Sequence, residues 1–371
     1  MKITMFGHKR IPSREGGVEI VVEELSTRMA AMGHRVVCYN RGGHHVSGRE
    51  FDEKKRTEYR GVVLKNVPTL DKKGLAAVTS SFFAGLFSAF CKSDVVHIHA
   101  EGPAFMCWLP KLMGKRVIVT VHGLDWQREK WKGGFGAKYI RAGEKMAVRW
   151  ADEIIVLSRN VQQYFLDTYG RKTVFIPNGV TKPESAEAEQ ITKLWGISQG
   201  EYILFLGRLV PEKGIHYLLE AFQQVHTDKK LVIAGGVSDT DAYVARLRQL
   251  AQDDRRVVFT GFVQGQALQE LYSNAYLYVL PSDVEGMPLS LLEAMSFGNC
   301  CLTSDIDECA SVVGDAGVTF AKGDIAALAA KLQMLCNDPQ CVDAYKQRSA
   351  EHVLQQYNWD DITRKTLELY R

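Results

Sequence analysis

Short apolar runs, separated by helix-length stretches, constrain this chain more than anything else in it. Lys2–Phe6, Arg35–Tyr39, Asp94–His99, Arg116–Val121, Ile154–Ser158 and Thr173–Ile176 form a first series. Tyr202–Leu206, Lys230–Ala234, Val257–Thr260 and Tyr276–Leu280 form a second. Between runs, apolar residues recur at helical spacing, as at Val18, Val21, Val22, Leu25, Met29 and Met32, where Gly33 ends the pattern. Apolar strands alternating with helices mark a parallel sheet covered on both faces. The expected fold class is therefore α/β, with two tandem doubly wound, Rossmann-like domains. The restart follows Pro177-Asn178-Gly179 and a Glu- and Ala-rich stretch at 181–192. This predicts domains at 1–182 and 183–355 and a terminal amphipathic segment at 356–371. In such folds ligands sit beyond the carboxyl ends of the strands, and two facing domains are expected to share one cleft. No Gly-x-Gly-x-x-Gly follows the first run and no Gly-x4-Gly-Lys-Ser/Thr occurs, which argues against a dehydrogenase and an NTPase.

Composition narrows the partners. Apolar residues are 46% and charged residues 24% of the 371, as in an ordinary globular protein. The net charge of +3 gives no reason to expect nucleic acid. Residues 1–180 hold 29 Lys and Arg against 17 Asp and Glu, a net of +12, whereas 181–371 hold 17 against 26, a net of −9. One half is thus expected to face something anionic, unless the charges are only solvated surface. The basic groups are Lys54-Lys55-Arg56, Lys72-Lys73, and Arg128, Lys130, Lys132, Lys138, Arg141, Lys145 and Arg149, with Trp126 and Trp131 among the last. Basic residues beside aromatics suit an anionic membrane surface or a lipid-diphosphate acceptor. Residues 74–91 run without a charge, but four Ser/Thr and two Gly dilute them, so they predict a buried or interfacial helix and not a span. The start of the chain lacks a signal-peptide pattern. Eight cysteines without a Cys-x-x-Cys pair predict reduced, buried thiols and a cytoplasmic protein, peripheral at most to the inner face of a membrane.

Two segments carry chemistry. Glu285-Gly286-Met287-Pro288-Leu289-Ser290-Leu291-Leu292-Glu293 follows a strand and opens a helix. Eight helical residues span about 12 Å, beyond the roughly 5–9.5 Å of a glycosidase carboxyl pair. Backbone N–H groups near Gly286 to Ser290 suit phosphate oxygens instead, with a carboxylate on either side for sugar hydroxyls; a capped surface helix is the plain alternative. Gly207-Arg208-Leu209-Val210-Pro211-Glu212-Lys213-Gly214 also follows a strand. Arg208 and Lys213 can converge there on one anion, as a departing diphosphate requires; an ordinary charged loop is the alternative.

Taken together these segments resemble the retaining glycosyltransferases of the GT-B fold, family 4. The resemblance extends through Gly16-Gly17, the Asp94–His99 strand, His122-Gly123-Leu124-Asp125, Pro177-Asn178-Gly179-Val180, Thr303-Ser304-Asp305-Ile306 and Gly314-Asp315-Ala316-Gly317. Ile11–Glu19 resembles bacterial polysaccharide-assembly members. The resemblance implies that Arg208 and Lys213 hold the donor diphosphate, that Glu285 contacts the donor sugar, and that Glu293 binds the ribose. It implies backbone contacts from Gly286, Met287, Leu289 and Ser290, close approach at Gly16 and Gly17, and a role for His122 at the sugar or reaction centre. The base would be read near Val258–Phe262, mostly by backbone. It implies a nucleotide-sugar donor, a glycan or polyprenyl-diphosphate-linked acceptor, no cofactor and no metal. His97, His99 and His122, or Asp305 and Asp307, are weaker candidates for metal ligands. In the family the terminal helix returns to the first domain. A 2-epimerase or phosphorylase on the same fold, or a non-catalytic sugar-nucleotide binder, stays open at this point.

Overall fold

The computed structural model describes residues 1–45, 48, 51, 52, 56–72, 74–127, 134–237 and 240–371. They form two units, Met1–Gly179 with Trp359–Arg371, and Val180–Asn358. Among the described residues the first unit has one eight-stranded sheet. Its strands are β1 (Lys2–Phe6), β2 (Arg35–Arg41), β3 (Glu58–Tyr59), β4 (Val62–Val67), β5 (Val95–His99), β6 (Arg116–Val121), β7 (Glu153–Val156) and β8 (Val174–Phe175), in the order β3-β4-β2-β1-β5-β6-β7-β8. All pairings are parallel except β3 with β4. The central strands are buried on both faces, which is why they read as unbroken apolar runs. The chain moves one way from β1 to β4 and the other way from β5 to β8. Right-handed crossovers then place α1 (Gly17–Ala31) on one face of the sheet. They place α2 (Leu75–Phe90), α3 (Glu101–Ala104), α4 (Trp108–Leu112), α5 (Phe135–Trp150) and α6 (Arg159–Tyr169) on the other.

Helix α2 departs from ordinary patterning. It buries Ser80, Ser81, Ala84, Gly85, Ser88 and Ala89, and turns Leu75, Phe82, Phe87 and Phe90 outward. The expected charge-free helix is there, but apart from Phe83, which packs on the core, its inward side is made of small residues and several of its large ones face out. The last helix, Trp359–Glu368, packs on α1. Trp359 lies against Gly179, where a Cβ would stand 2.5 Å from the indole ring.

The second unit has, among its described residues, a six-stranded parallel sheet. Its strands are β9 (Tyr202–Leu206), β10 (Lys230–Ala234), β11 (Val257–Gly261), β12 (Leu277–Leu280), β13 (Cys301–Ser304) and β14 (Val318–Phe320). The order is β11-β10-β9-β12-β13-β14. Its helices are α7 (Gln190–Trp195), α8 (Ile215–Phe222), α9 (Asp241–Ala251), α10 (Gly265–Ser273), α11 (Leu289–Ser296), α12 (Asp307–Val313), α13 (Ile325–Asn337) and α14 (Pro339–Gln356). All eight cysteines are free, and five are buried.

The sequence reading misses β3, β4 and β14, because each is short or carries polar residues: Lys65 and Asn66 of β4 are exposed. It also runs four strands too long, Asp94–His99 and Tyr276–Leu280 by one residue each. Ile154–Ser158 stops at Val156 because Ser158 caps α6, its Oγ accepting the Val161 N–H at 3.2 Å. Thr173–Ile176 contracts to Val174–Phe175.

The contact of α5 with α3 supplies a test. A Cβ at Gly143 would lie 1.9 Å from the Glu101 carbonyl oxygen. In an open helix Gly→Ala stabilises by about 1 kcal/mol. Here Gly143→Ala is expected to invert that sign and cost about 2 kcal/mol or more, read as a lower urea midpoint.

Candidate functional site

In the second unit the chain leaves β9 toward one edge and β12 toward the other. The two strands are neighbours, with Ile203 opposite Leu277 and Leu204 opposite Tyr278. That is the switch point of a doubly wound sheet, where loops part and leave a crevice. The β9 loop makes a 3₁₀ turn at Pro211–Lys213, and the β12 loop runs to Pro288. They are stitched together. Lys213 Nζ lies 2.5 Å from Glu285 Oε1, and Ser282 Oγ donates to the same oxygen at 2.6 Å. Asp283 N–H donates to the Glu212 carbonyl at 2.8 Å. Gly214 closes the turn at φ +65°, and a Cβ there would stand 2.0 Å from the Pro281 carbonyl oxygen. Only glycine combines that backbone with that approach.

The Lys213 and Glu285 side chains are 13% and 9% exposed. A pair so screened from water is worth more than a surface pair, and removing one partner strands the other charge. Arg208 lies half-buried at the head of the same loop, directly beyond β9. Helix α11 begins at Leu289, with Pro288 in the capping position. The expected helical N–H run is therefore shorter: Leu289 and Ser290 belong to the first turn, whereas Gly286 and Met287 stand in the loop before it. Met287 and Leu289 are buried residues. Glu293 lies one turn into α11, half-buried, and accepts a hydrogen bond from Tyr272 Oη at 3.2 Å. Tyr278 Oη donates to Ser290 Oγ at 2.9 Å. Burial pushes the Tyr278 phenol well above its usual range, so it remains a donor. Ser282, Tyr272 and Tyr278 were not singled out from sequence. The available signal was a tyrosine in an otherwise aliphatic strand, whose hydroxyl must find a partner. Phe262 lies half-buried just beyond the carboxyl end of β11, an edge strand, apart from this pair of loops.

The remaining candidates lie in the first unit. His122 follows β6, and its Nε2 is 3.1 Å from His99 Nδ1. The His99 ring stacks near His97, centroids 4.2 Å apart. His97 hydrogen-bonds to Thr120 Oγ1 at 2.7 Å and Tyr370 Oη at 2.6 Å. Asp125 N–H donates to Glu101 Oε2 at 2.8 Å. Burial, with Asp125 and Glu144 beside it, pushes the Glu101 carboxyl well above the carboxylate range. Gly17 opens α1, and Gly16 precedes it in extended backbone. The space beside Gly16 is taken by Glu19, whose Oε2 would lie 2.8 Å from a Cβ. Asp305 is spent locally, accepting the Lys322 N–H at 2.8 Å. Among the described residues no three His, Cys, Asp or Glu could hold a metal ion. Lys54, Lys55, Lys73, Arg128, Lys130, Trp131 and Lys132 lie outside the described residues.

Comparison with known proteins decides the family. Residues 15–182 match the model described as Glycosyltransferase Family 4, and residues 200–338 the model described as Glycosyl transferases group 1. The chain belongs to the family 4 glycosyltransferases. Glycogen synthase of Mycobacterium tuberculosis is 26% identical over 100% of this chain and 94% of its own length. Among solved structures, sucrose-phosphate synthase from Thermosynechococcus elongatus superposes with a TM-score of 0.81 at 21% identity, covering 100% of this chain and 98% of that one. Anabaena HepE, solved with UDP-glucose, gives 0.81 at 18% identity, covering 99% and 98%. These structures share the GT-B fold, two parallel-sheet α/β domains.

Two tests follow from the geometry. Gly214→Ala is expected to destabilise the protein by about 2–4 kcal/mol, measured by urea unfolding. The second concerns pH. Burial lowers His8 to about 4 and His97 to about 3, and holds His99 well below its usual 6.5. The unfolded chain takes up these protons below 6.5 and the folded chain does not, so their stabilisation is complete above 6.5 and lost as pH falls. Glu101 acts oppositely, since the folded state keeps a proton that the unfolded state releases above 4.5. A net uptake of about two protons gives a loss of roughly 2–3 kcal/mol per pH unit between pH 6 and 4.5. An unchanged urea midpoint between pH 7.5 and 5 would show the rings to be charged in the folded state.

Proposed function

We propose that this glycosyltransferase moves a hexose-type sugar, with retention, from a nucleoside-diphosphate sugar to a glycan or polyprenyl-diphosphate-linked acceptor. The product would belong to a cell-surface polysaccharide, made in the cytoplasm at the inner face of a membrane. The carrying observation is the Lys213–Glu285 pair at the switch point of the second unit, where Arg208 heads the same loop. An ammonium held in place by a carboxylate, with a guanidinium nearby, suits a diphosphate that gains charge as it leaves. The UDP-glucose of HepE supports a nucleotide-sugar donor, and uracil is the first base to try. The Ile11–Glu19 segment supports the polysaccharide reading.

In this mechanism the bond between the anomeric carbon and the diphosphate oxygen breaks toward Lys213 and Arg208. The acceptor hydroxyl bonds the same face of that carbon and passes its proton to the departing phosphate oxygen. No nucleophile from the protein and no metal is required. Glu285 takes a donor-sugar hydroxyl with the oxygen that Lys213 leaves available. Glu293, steadied by Tyr272, takes the ribose, and the loop from Gly286 through Ser290 takes phosphate oxygens. By the family resemblance, Phe262 would stand near the base and His122 would serve at the sugar.

A thermal-shift screen with EDTA present is expected to respond to one class among UDP-, GDP-, ADP- and dTDP-sugars. At a hundredfold excess over Kd the stabilisation is about 2.7 kcal/mol. Glu285→Gln keeps the shape and a hydrogen bond to Ser282. It is expected to slow transfer about 100-fold or more and, by stranding the Lys213 ammonium, to lower the urea midpoint while unfolding stays cooperative. Full activity in Glu285→Gln, an inverted anomer in the product by NMR, or activity only with added metal would each overturn a part of the proposal.

A further inference from the structure

Helix α2 packs Phe83 on the core but leaves four other large apolar side chains in water. Phe90 is 67% exposed and Phe82 48%, with Leu75 and Phe87 beside them. Beside α2, the end of α4 exposes Leu112 at 60% and the next residue, Met113. This is no packing defect. Apart from Phe83, the inward side of α2 is built from small residues: Gly85 lets Met106 come so close that a Cβ would be 2.7 Å away. Its serines satisfy themselves within the helix, Ser81 Oγ donating to the Ala77 carbonyl at 2.6 Å and Ser88 Oγ to Gly85 at 2.9 Å. A patch of this kind on a folded surface marks an interaction site.

Charge indicates the partner. Helix α2 carries no charge, and the exposed Lys72 and Lys92 lie just before and after it. Lys115 is held beside its end, Nζ donating to the Cys91 carbonyl at 2.8 Å. Helix α5 lies in the same helical layer, since it packs on α3 and α4 and both of those pack on α2. It exposes Lys138, Arg141, Lys145 and Arg149 along one side. Arg141 lies over the Trp126 ring at 4.3 Å. Of the exposed acids near the ends of α2, Asp94 is engaged by the Lys2 N–H at 2.7 Å and Asp71 stands by Lys72. Two copies joined through this face would bring lysines against lysines. An anionic bilayer instead accepts both the aromatics and the cations. Sixteen residues make a helix of about 24 Å, suited to lying in the interface. No described helix is long and apolar enough to cross a membrane.

We propose that the outward face of α2, continued by Leu112 and Met113 and flanked by the basic side of α5, seats the chain on an anionic lipid surface. This rests on the membrane reading under Proposed function and assigns it to residues. The expectation from sequence placed membrane contact in the basic runs with Trp126 and Trp131; the structure makes an apolar helix the centre and the cations its border.

The test is flotation of the full chain with phosphatidylcholine vesicles containing about a third phosphatidylglycerol, against pure phosphatidylcholine. Binding is expected only with the anionic lipid. The double substitution Phe82→Ser/Phe90→Ser should weaken it about 100-fold, and Arg141→Gln/Lys145→Gln about 10-fold. Both variants should keep the urea midpoint and the donor thermal shift of the parent. Undiminished binding of the phenylalanine variant overturns the assignment to α2; if the arginine-lysine variant then loses binding, membrane docking itself stands. Equal binding to pure phosphatidylcholine overturns the anionic partner. Absence of binding to either vesicle overturns both this inference and the membrane part of the proposed function. A sedimenting dimer that Phe82→Ser/Phe90→Ser dissociates, without vesicle binding, makes a second copy the occupant.

Discussion

Parallel pairing is the constraint on which the rest of this protein depends. A parallel strand cannot be followed by a tight turn to its neighbour, so each must be joined by a crossover that covers a face of the sheet. The crossovers demand helices, the helices bury both faces, and burial demands the apolar runs. All the variable chemistry is then pushed to the loops at the strand ends. In the second unit the change of direction between β9 and β12 separates two of those loops. Lys213 and Glu285 come from these two, 72 residues apart in sequence.

What holds that pair is backbone as much as charge. Gly214 lets the β9 loop turn beneath Pro281, and the Asp283 N–H bonds back to Glu212. Ser282 then shares the Glu285 oxygen with Lys213. The ammonium and carboxylate are thereby positioned before any ligand arrives, so little reorganisation is left for the moment when charge develops. Tyr272 and Tyr278 do the same for the first turns of α11, each from full burial and each through its hydroxyl.

The first unit uses burial in the opposite sense. It takes His8, His97, His99 and Glu101 out of water, and keeps them uncharged by doing so. His122 stands at the edge of this group, bonded to His99. The same unit leaves phenylalanines of α2 exposed. Both choices run against ordinary patterning, and places where local rules are broken are where function is expected.

Much of this was legible in the residues alone. Runs such as Val117–Val121 or Ile203–Leu206 have no other comfortable state than a doubly covered strand, so the two-sheet α/β plan follows from hydrophobic period. The Lys213 and Glu285 segments were legible too, because charged residues next to glycines directly after a strand have few structural uses. The short strands β4 and β14 were not, since their pairing is decided by neighbours and not by their own pattern. Nor could sequence show that Glu19 fills the space beside Gly16, or that a helix rich in phenylalanine turns most of its serines inward. Composition and periodicity record how much apolar surface a segment carries. Which side of it meets the core, and which charge meets which, depends on contacts between residues far apart in the chain, and only the tertiary structure contains those.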